Sequence, residues 1–288
     1  MISGDLALRS LKLKNRPPRR RSIYVLPNIF TTLSLFFGFY SMLAAIDGRY
    51  SQAAWLIFIA ALSDGLDGTV ARMTNTTSRF GMEYDSLCDL VAFGAAPAVL
   101  AYLWALTPDH LGPQYQRLGV AAAFIFLACG ALRLARFNVF SEARDPGFFQ
   151  GLPIPGGAMM VAATVLWHYR SGCEGQPSSF LILGLVLALA FLMVSNIDYV
   201  SHKNKVLFRN SRPFETLVLT VLLMGLIIAK NRSAFLPLGL IYLVSGPVVT
   251  VVRARRRRRD QETGKPRPEG DEARPGRALG PENRKDEA

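Results

Sequence analysis

Cysteine and histidine are scarce in this chain, which holds three of each in 288 residues. Cys88, Cys129 and Cys173 form no CxxC pair and show no metal-ligand spacing. That excludes a Cys/His zinc site and a disulfide framework, and the three read as packing residues. His110, His168 and His202 are scattered, and the first two fall near expected helix ends rather than at a site. Charge is thin at 19% of residues and unbalanced, with 33 Lys and Arg against 21 Asp and Glu, a net +12. No folded basic domain accompanies the excess, which argues against nucleic acid as a partner. No small-residue cleavage site follows Arg19-Arg20-Arg21, and the next apolar span is long, so the N-terminus reads as an uncleaved first helix rather than a signal peptide.

Apolar sequence is abundant. Half of the residues are hydrophobic, and they come in blocks separated by short polar loops, the pattern of an all-α polytopic membrane protein. About eight transmembrane helices are expected. They run near Val25–Ile46, Ala53–Arg72, Gly81–Leu106, Gln116–Arg136, Pro153–Tyr169, Phe180–Ile197, Phe214–Ala229 and Phe235–Val252. A loop rich in Asp, Gly, Pro and Phe is expected over Asn138–Gly151. Pro153, Pro155 and Gly156-Gly157 make the start of the fifth span irregular.

Three regions follow. Residues 1–22 form a basic arm, either disordered or an interfacial amphipathic helix, with Leu6, Leu8, Leu11 and Leu13 interleaved with Arg9, Lys12 and Lys14. Residues 23–252 form the transmembrane domain. Residues 253–288 form a disordered basic tail, whose Arg255–Arg259 run suits anionic headgroups. With the N-terminus in the cytoplasm, that side receives Arg79, Arg144, Lys203, Lys205, Arg209, Arg212 and both basic ends. The opposite side receives only Arg49, Arg117, Arg170, Lys230 and Arg232. The excess of basic residues on the inner side sets both termini in the cytoplasm.

One stretch stands out against this background. Asp64 and Asp67 end the second span; Asp85 and Asp89 begin the third. At 100° per residue each pair shares one helix face, roughly 60° and roughly 40° apart. An antiparallel hairpin through the polar turn Thr74–Arg79 lets the two faces meet. An aspartate at mid-membrane costs roughly 2.5–3.5 kcal/mol, so four at that depth would cost about 10 kcal/mol or more. Divalent cations relieve both that cost and the mutual repulsion. Ligands that are all oxygen favour a hard ion, Mg²⁺ or Mn²⁺, and such ions usually hold phosphates.

The pattern D-x-x-D-G-x-x-A-R-x8-G-x-x-x-D-x-x-x-D resembles the signature of the CDP-alcohol phosphotransferase family. It is matched by Asp64, Asp67, Gly68, Ala71, Arg72, Gly81, Asp85 and Asp89. The resemblance implies the family's six-helix core, a homodimer, and a two-metal cluster of Mg²⁺ or Mn²⁺ on Asp64, Asp67 and Asp85. Asp89 is then the general base, and it also touches one metal. A nucleotide-activated lipid, CDP-diacylglycerol, is the implied donor. Its cytidine lies over Gly68 and Gly81, although close helix packing is a second reason for glycine there. Arg72 pairs with a phosphate or snorkels to the interface. Asn28 and Thr31, in Pro27-Asn28-Ile29-Phe30-Thr31, match family positions that contact the nucleotide end; helix capping by Asn28 is the alternative.

Two further stretches, Cys129–Asn138 and Gly151–Pro155, look like the subgroup of bacterial membrane-bound phosphatidylserine synthases. The resemblance covers roughly residues 23–200. It implies L-serine as acceptor, in a bacterial inner membrane; the count of basic residues puts the aspartate turn on the cytoplasmic side. Arg133 and Arg136 are one turn apart, suited to a carboxylate and a lipid phosphate, and Asn138 would orient the amine. Snorkelling is the alternative for both arginines. The expected reaction is attack of the serine hydroxyl on CDP-diacylglycerol, giving phosphatidylserine and CMP. The same chemistry with glycerol phosphate, inositol phosphate or choline is the nearest rival; a cation transporter and a non-catalytic scaffold are more distant ones.

Overall fold

The structure is a computed structural model that describes residues 25–74, 79–140, 148–171, 177–195 and 197–200, with 236, 237, 239, 240 and 243. The basic arm, the seventh expected span, His202, Lys203, Lys205, Cys173 and the tail lie outside the described residues.

α1 (Val25–Ile46) carries Pro27 in its first turn, where a missing N–H breaks no helical hydrogen bond. Asn28 therefore lies inside the helix and does not cap it. Its carbonyl accepts instead from the Thr32 hydroxyl at 2.7 Å. α2 (Tyr50–Thr74) packs back along α1, and small side chains on both helices, Ala44 and Ala45 on α1 and Ala53 and Ala54 on α2, are buried. Buried Ser41 donates to the Ala53 carbonyl at 2.8 Å, so this hydroxyl is satisfied across the contact.

The next rod changes pitch as it rises. α3 (Arg79–Asp89) passes into a π turn, Leu90–Ala95, then α4 (Ala96–Ala101), then a second π turn, Tyr102–Leu106. Pro97 explains the first change. It cannot donate to the Phe93 carbonyl four residues back, and its ring crowds that carbonyl. The wider turn accommodates the ring, with Ala96 N–H bonding to the Val91 carbonyl five residues earlier. Gly38 of α1 meets this turn: a Cβ there would sit 2.5 Å from the Ala92 Cα, so only glycine permits the approach.

α5 (Pro108–Leu111) is a short connector to α6 (Gln116–Phe140), and α7 (Ile154–Arg170) and α8 (Ser179–Val194) complete the layer. Phe93, Leu100, Phe126, Ile154 and Leu189, from four different helical rods, form the centre of the core. Leu236 and Leu243, from the eighth expected span, are helical and pack against it.

Among the described residues, the strands form one small ribbon and the other regular elements are helices. The loop expected over Asn138–Gly151 is shorter than the sequence suggests. α6 runs on to Phe140, and β1 (Phe148–Gln150) pairs antiparallel with β2 (Asp198–Val200), Phe149 opposite Tyr199. At the end of β1, Gly151 takes φ 80°, with its N–H on the Ile197 carbonyl at 2.9 Å. A side chain there would also strike the Met193 carbonyl. This ties the entry to α7 beneath the end of α8.

Among the described residues, three helices are long and apolar enough to cross a membrane: Asn28–Ile46, Phe80–Leu106 and Pro113–Val139. The expected second, fifth and sixth spans are helices too, but they fall outside that group. α2 carries Asp64, Asp67 and Arg72, α7 has 17 residues and α8 has 16. Outward faces are apolar, with Phe36 and Phe39 on α1, Phe124 and Leu132 on α6, and Leu181 and Phe191 on α8 exposed. Such faces suit hydrocarbon rather than water.

Candidate active site

Four aspartates arrive from two helices. The end of α2 presents Asp64 and Asp67, and α3 presents Asp85 and Asp89. One carboxylate oxygen from each of Asp64, Asp67 and Asp85 lies within 4.8 Å of the other two. Asp89 stands beside this trio, with its carboxyl close to that of Asp64. Residues 75–78 of the expected hairpin turn are outside the described set. What the structure adds is α1, which packs against both α2 and α3. Thr31 donates to Asp67 Oδ2 at 2.7 Å, and Thr32 shares a 2.9 Å hydrogen bond with the Tyr84 hydroxyl.

Three carboxylates at this spacing repel one another unless a cation joins them. Asp67 is 5% exposed, and Asp85 Oδ1 is buried with no hydrogen-bond partner among the described residues. An orphaned carboxylate oxygen is costly by itself but suits a metal ligand. The donor set is all oxygen, so the residues fit a hard divalent ion.

A cavity of about 440 Å³ opens beside the trio. Asp85 and Asp89 form one wall, and Arg133, Phe137 and Asn138 of α6 form another. Pro155, at the tied entry to α7, also lines the space.

Residues 24–194 match the CDP-alcohol phosphatidyltransferase family. The chain belongs to that family. It is similar to the CDP-diacylglycerol–serine O-phosphatidyltransferase of Helicobacter pylori strain J99, 38% identical over 228 residues, 78% of this chain and 90% of the relative. It is also similar to the enzyme of that name from Methanocaldococcus jannaschii, 36% identical over 186 residues, 65% of this chain and 79% of the relative. The archaetidylserine synthase of Methanothermobacter thermautotrophicus is 35% identical over 180 residues, 62% of this chain and 70% of the relative. As a CDP-alcohol phosphatidyltransferase, the protein is a transferase of phospholipid synthesis.

Within this CDP-alcohol phosphatidyltransferase the expected site residues separate into groups. Asp64, Asp67, Asp85 and Asp89 come together as the sequence suggests. Thr31 is at the site, but its hydroxyl proton goes to Asp67. Asn28 lies one turn before Thr32 and accepts from it. Gly68 is exposed, and a Cβ there would meet nothing within 4 Å, so close helix packing does not account for this glycine. Gly81 lies on α3, half-buried. Arg72 is helical, and its side chain is outside what is described.

The two arginines of α6 part company. Arg133 and Asn138 line the cavity. Arg136 donates from Nη1 to the Val194 carbonyl at 3.2 Å, at the end of α8. Two polar cavity residues were missed in the sequence, Glu83 and Ser86. Ser86 was legible in principle, since Met82, Asp85, Ser86 and Asp89 recur at helical spacing on one face of α3. Glu83 lies at the edge of that face, and it is the partner from α6, Asn138, that brings it into the site.

Proposed function

We propose that this enzyme transfers the phosphatidyl group from CDP-diacylglycerol to L-serine, giving phosphatidylserine and CMP. The observation that supports it best is the shared chamber, with Arg133 facing Asp85 and Asp89 beside the carboxylate trio. Two of the relatives carry serine in their names together with CDP-diacylglycerol.

Asp64, Asp67 and Asp85 hold divalent cations, Mg²⁺ or Mn²⁺ and two in number, with Asp89 at their edge. When bound, these ions neutralise charge on the pyrophosphate and on the departing phosphate. Gly68 and Gly81 leave helix backbone bare for the cytidine, and Asn28, Thr31 and Arg72 stand at the donor end. Asp89 accepts the proton of the serine hydroxyl as its oxygen bonds to the lipid-linked phosphorus. The bond from that phosphorus to the CMP oxygen breaks. Arg133 pairs with the serine carboxylate, a group that glycerol and choline lack. Arg136 holds α6 to α8 and so sets the depth of Arg133.

The described helices form the family's six-helix core, with two further spans toward the C-terminus. The protein sits in a bacterial inner membrane rich in anionic lipid, as a homodimer, with both termini and the cavity cytoplasmic. The deciding experiment is CMP release by purified full-length protein from CDP-diacylglycerol with Mg²⁺ or Mn²⁺. L-serine, glycerol 3-phosphate, inositol phosphate and choline are compared as acceptors. Serine-dependent release well above the others is expected; release that follows a phosphorylated acceptor overturns the serine assignment.

A further inference from the structure

The acceptor cavity has one charged side chain that the proposed chemistry leaves unused. Asp85 belongs to the cation trio, Asp89 is placed to take a proton, and Arg133 answers a carboxylate. Glu83, one turn before Leu87 on α3 and exposed to the same space, has no role in that scheme.

Its surroundings are organised. Asn138, from the last turn of α6, donates from Nδ2 to Ser86 Oγ at 3.0 Å and to Glu83 Oε2 at 3.5 Å. Ser86 Oγ in turn reaches Asn138 Oδ1 at 3.4 Å and its own helix at Met82. The Nδ2 donors of Asn138 are thus engaged by its neighbours. An ammonium needs acceptors; Asn138 Oδ1 offers it a neutral amide oxygen, whereas Glu83 offers a full negative charge. To the sequence expectation that Asn138 orients the amine, the geometry adds a charged neighbour that Asn138 holds in place.

We propose that Glu83, steadied by Asn138 and Ser86, is the ammonium-binding residue of the acceptor pocket and sets its preference for an amino-acid alcohol. The inference rests on the serine reading above and extends it. An amino acid presents a carboxylate and an ammonium on one carbon, and the cavity offers Arg133 and Glu83 as their counterparts. Glu83 also acts against wrong acceptors. A phosphorylated alcohol would bring negative charge beside Glu83 and Asp85, and repulsion of that kind excludes a competitor without adding any attraction for serine.

The test uses the purified full-length protein with CDP-diacylglycerol and Mn²⁺, comparing wild type, Glu83→Gln and Glu83→Asp. L-serine and L-glycerate are the acceptors; glycerate keeps the carboxylate and hydroxymethyl but replaces the ammonium with a hydroxyl. Glu83→Gln should raise the KM for serine about 10- to 100-fold with a much smaller change in kcat. It should lower the serine-to-glycerate preference about 10-fold or more, because a carboxylate that pairs with the ammonium gains nothing comparable from the hydroxyl of glycerate. Glu83→Asp should recover part of the serine affinity, and the KM for CDP-diacylglycerol should hold. An unchanged serine KM in Glu83→Gln overturns the inference, as does a parallel rise in both KM values, which marks a general loss of structure. If wild type itself releases no CMP with serine, the serine reading fails and this inference falls with it; if wild type uses serine and Glu83→Gln matches it, only the inference falls.

Discussion

Thr31 donates a 2.7 Å hydrogen bond to Asp67 across 36 positions of sequence, and both side chains are 5% exposed. The contact joins α1 to the aspartate cluster and fixes the orientation of one carboxylate, as outer partners of metal ligands commonly do. Thr31→Val keeps the volume and removes the donor. The concentration of Mg²⁺ or Mn²⁺ giving half-maximal CMP release should rise about 10-fold or more. Thr31→Ser should stay close to wild type. A titration of activity against metal concentration decides it.

Asp89 stands beside the trio rather than in it. Asp89→Asn should therefore reduce kcat by about 10²- to 10⁴-fold, the range typical of a lost general base. Its metal requirement should shift less than those of Asp64→Asn, Asp67→Asn or Asp85→Asn. Equal shifts in all four would place Asp89 among the ligands alone.

Chelation should abolish activity, and either Mg²⁺ or Mn²⁺ should restore it. Stability should follow occupancy, because a ligand bound at about 100 times its Kd stabilises the folded state by about 2.7 kcal/mol. Thermal unfolding in detergent should show a higher Tm with metal. The increment should shrink in Asp85→Asn, which removes a negative charge where a carboxylate oxygen has no hydrogen-bond partner among the described residues. A Tm indifferent to metal in wild type counts against the cluster as a cation site.

Two glycine substitutions should behave oppositely. Gly38→Val drives a side chain into the Ala92 backbone and should cost about 1–3 kcal/mol or more, as overpacking does. Gly68→Ala meets open space and relieves a helical glycine, so stability should hold or rise by up to about 1 kcal/mol. Its effect should appear instead as a higher KM for CDP-diacylglycerol. Paired unfolding and kinetic measurements separate the two.

Arg133 lines the cavity, while Arg136 donates to the end of α8. Arg133→Ala should raise the serine KM about 10-fold or more through loss of a charge-assisted pair. Arg136→Ala should lower the Tm, with a smaller effect on serine affinity. The reverse pattern would give the carboxylate to Arg136 instead.

Much of this was legible in one dimension. Helical spacing alone puts Asp64 with Asp67 and Asp85 with Asp89, and the energetic penalty of four acids in apolar sequence calls for a cation. Hydrophobic blocks mark the helices because a backbone in lipid must satisfy its own hydrogen bonds. Pro97 lies in plain view, yet whether the chain answers with a kink or a widened turn depends on neighbours such as Gly38. Arg133 and Arg136 look equivalent in sequence, one turn apart on a helix end.

Local order in this chain determined the helices, the acidic pairs and the class of ion they suit, since all of these depend on residues a few positions apart. Only the packing of distant segments decided the rest. It put Thr31 on Asp67, sent Arg136 to α8 while leaving Arg133 in the cavity, built a ribbon from residues 148–150 and 198–200, and brought Glu83 to Asn138. Periodicity reports which face of a helix a side chain occupies; what that face meets is set by helices that arrive from tens of residues away.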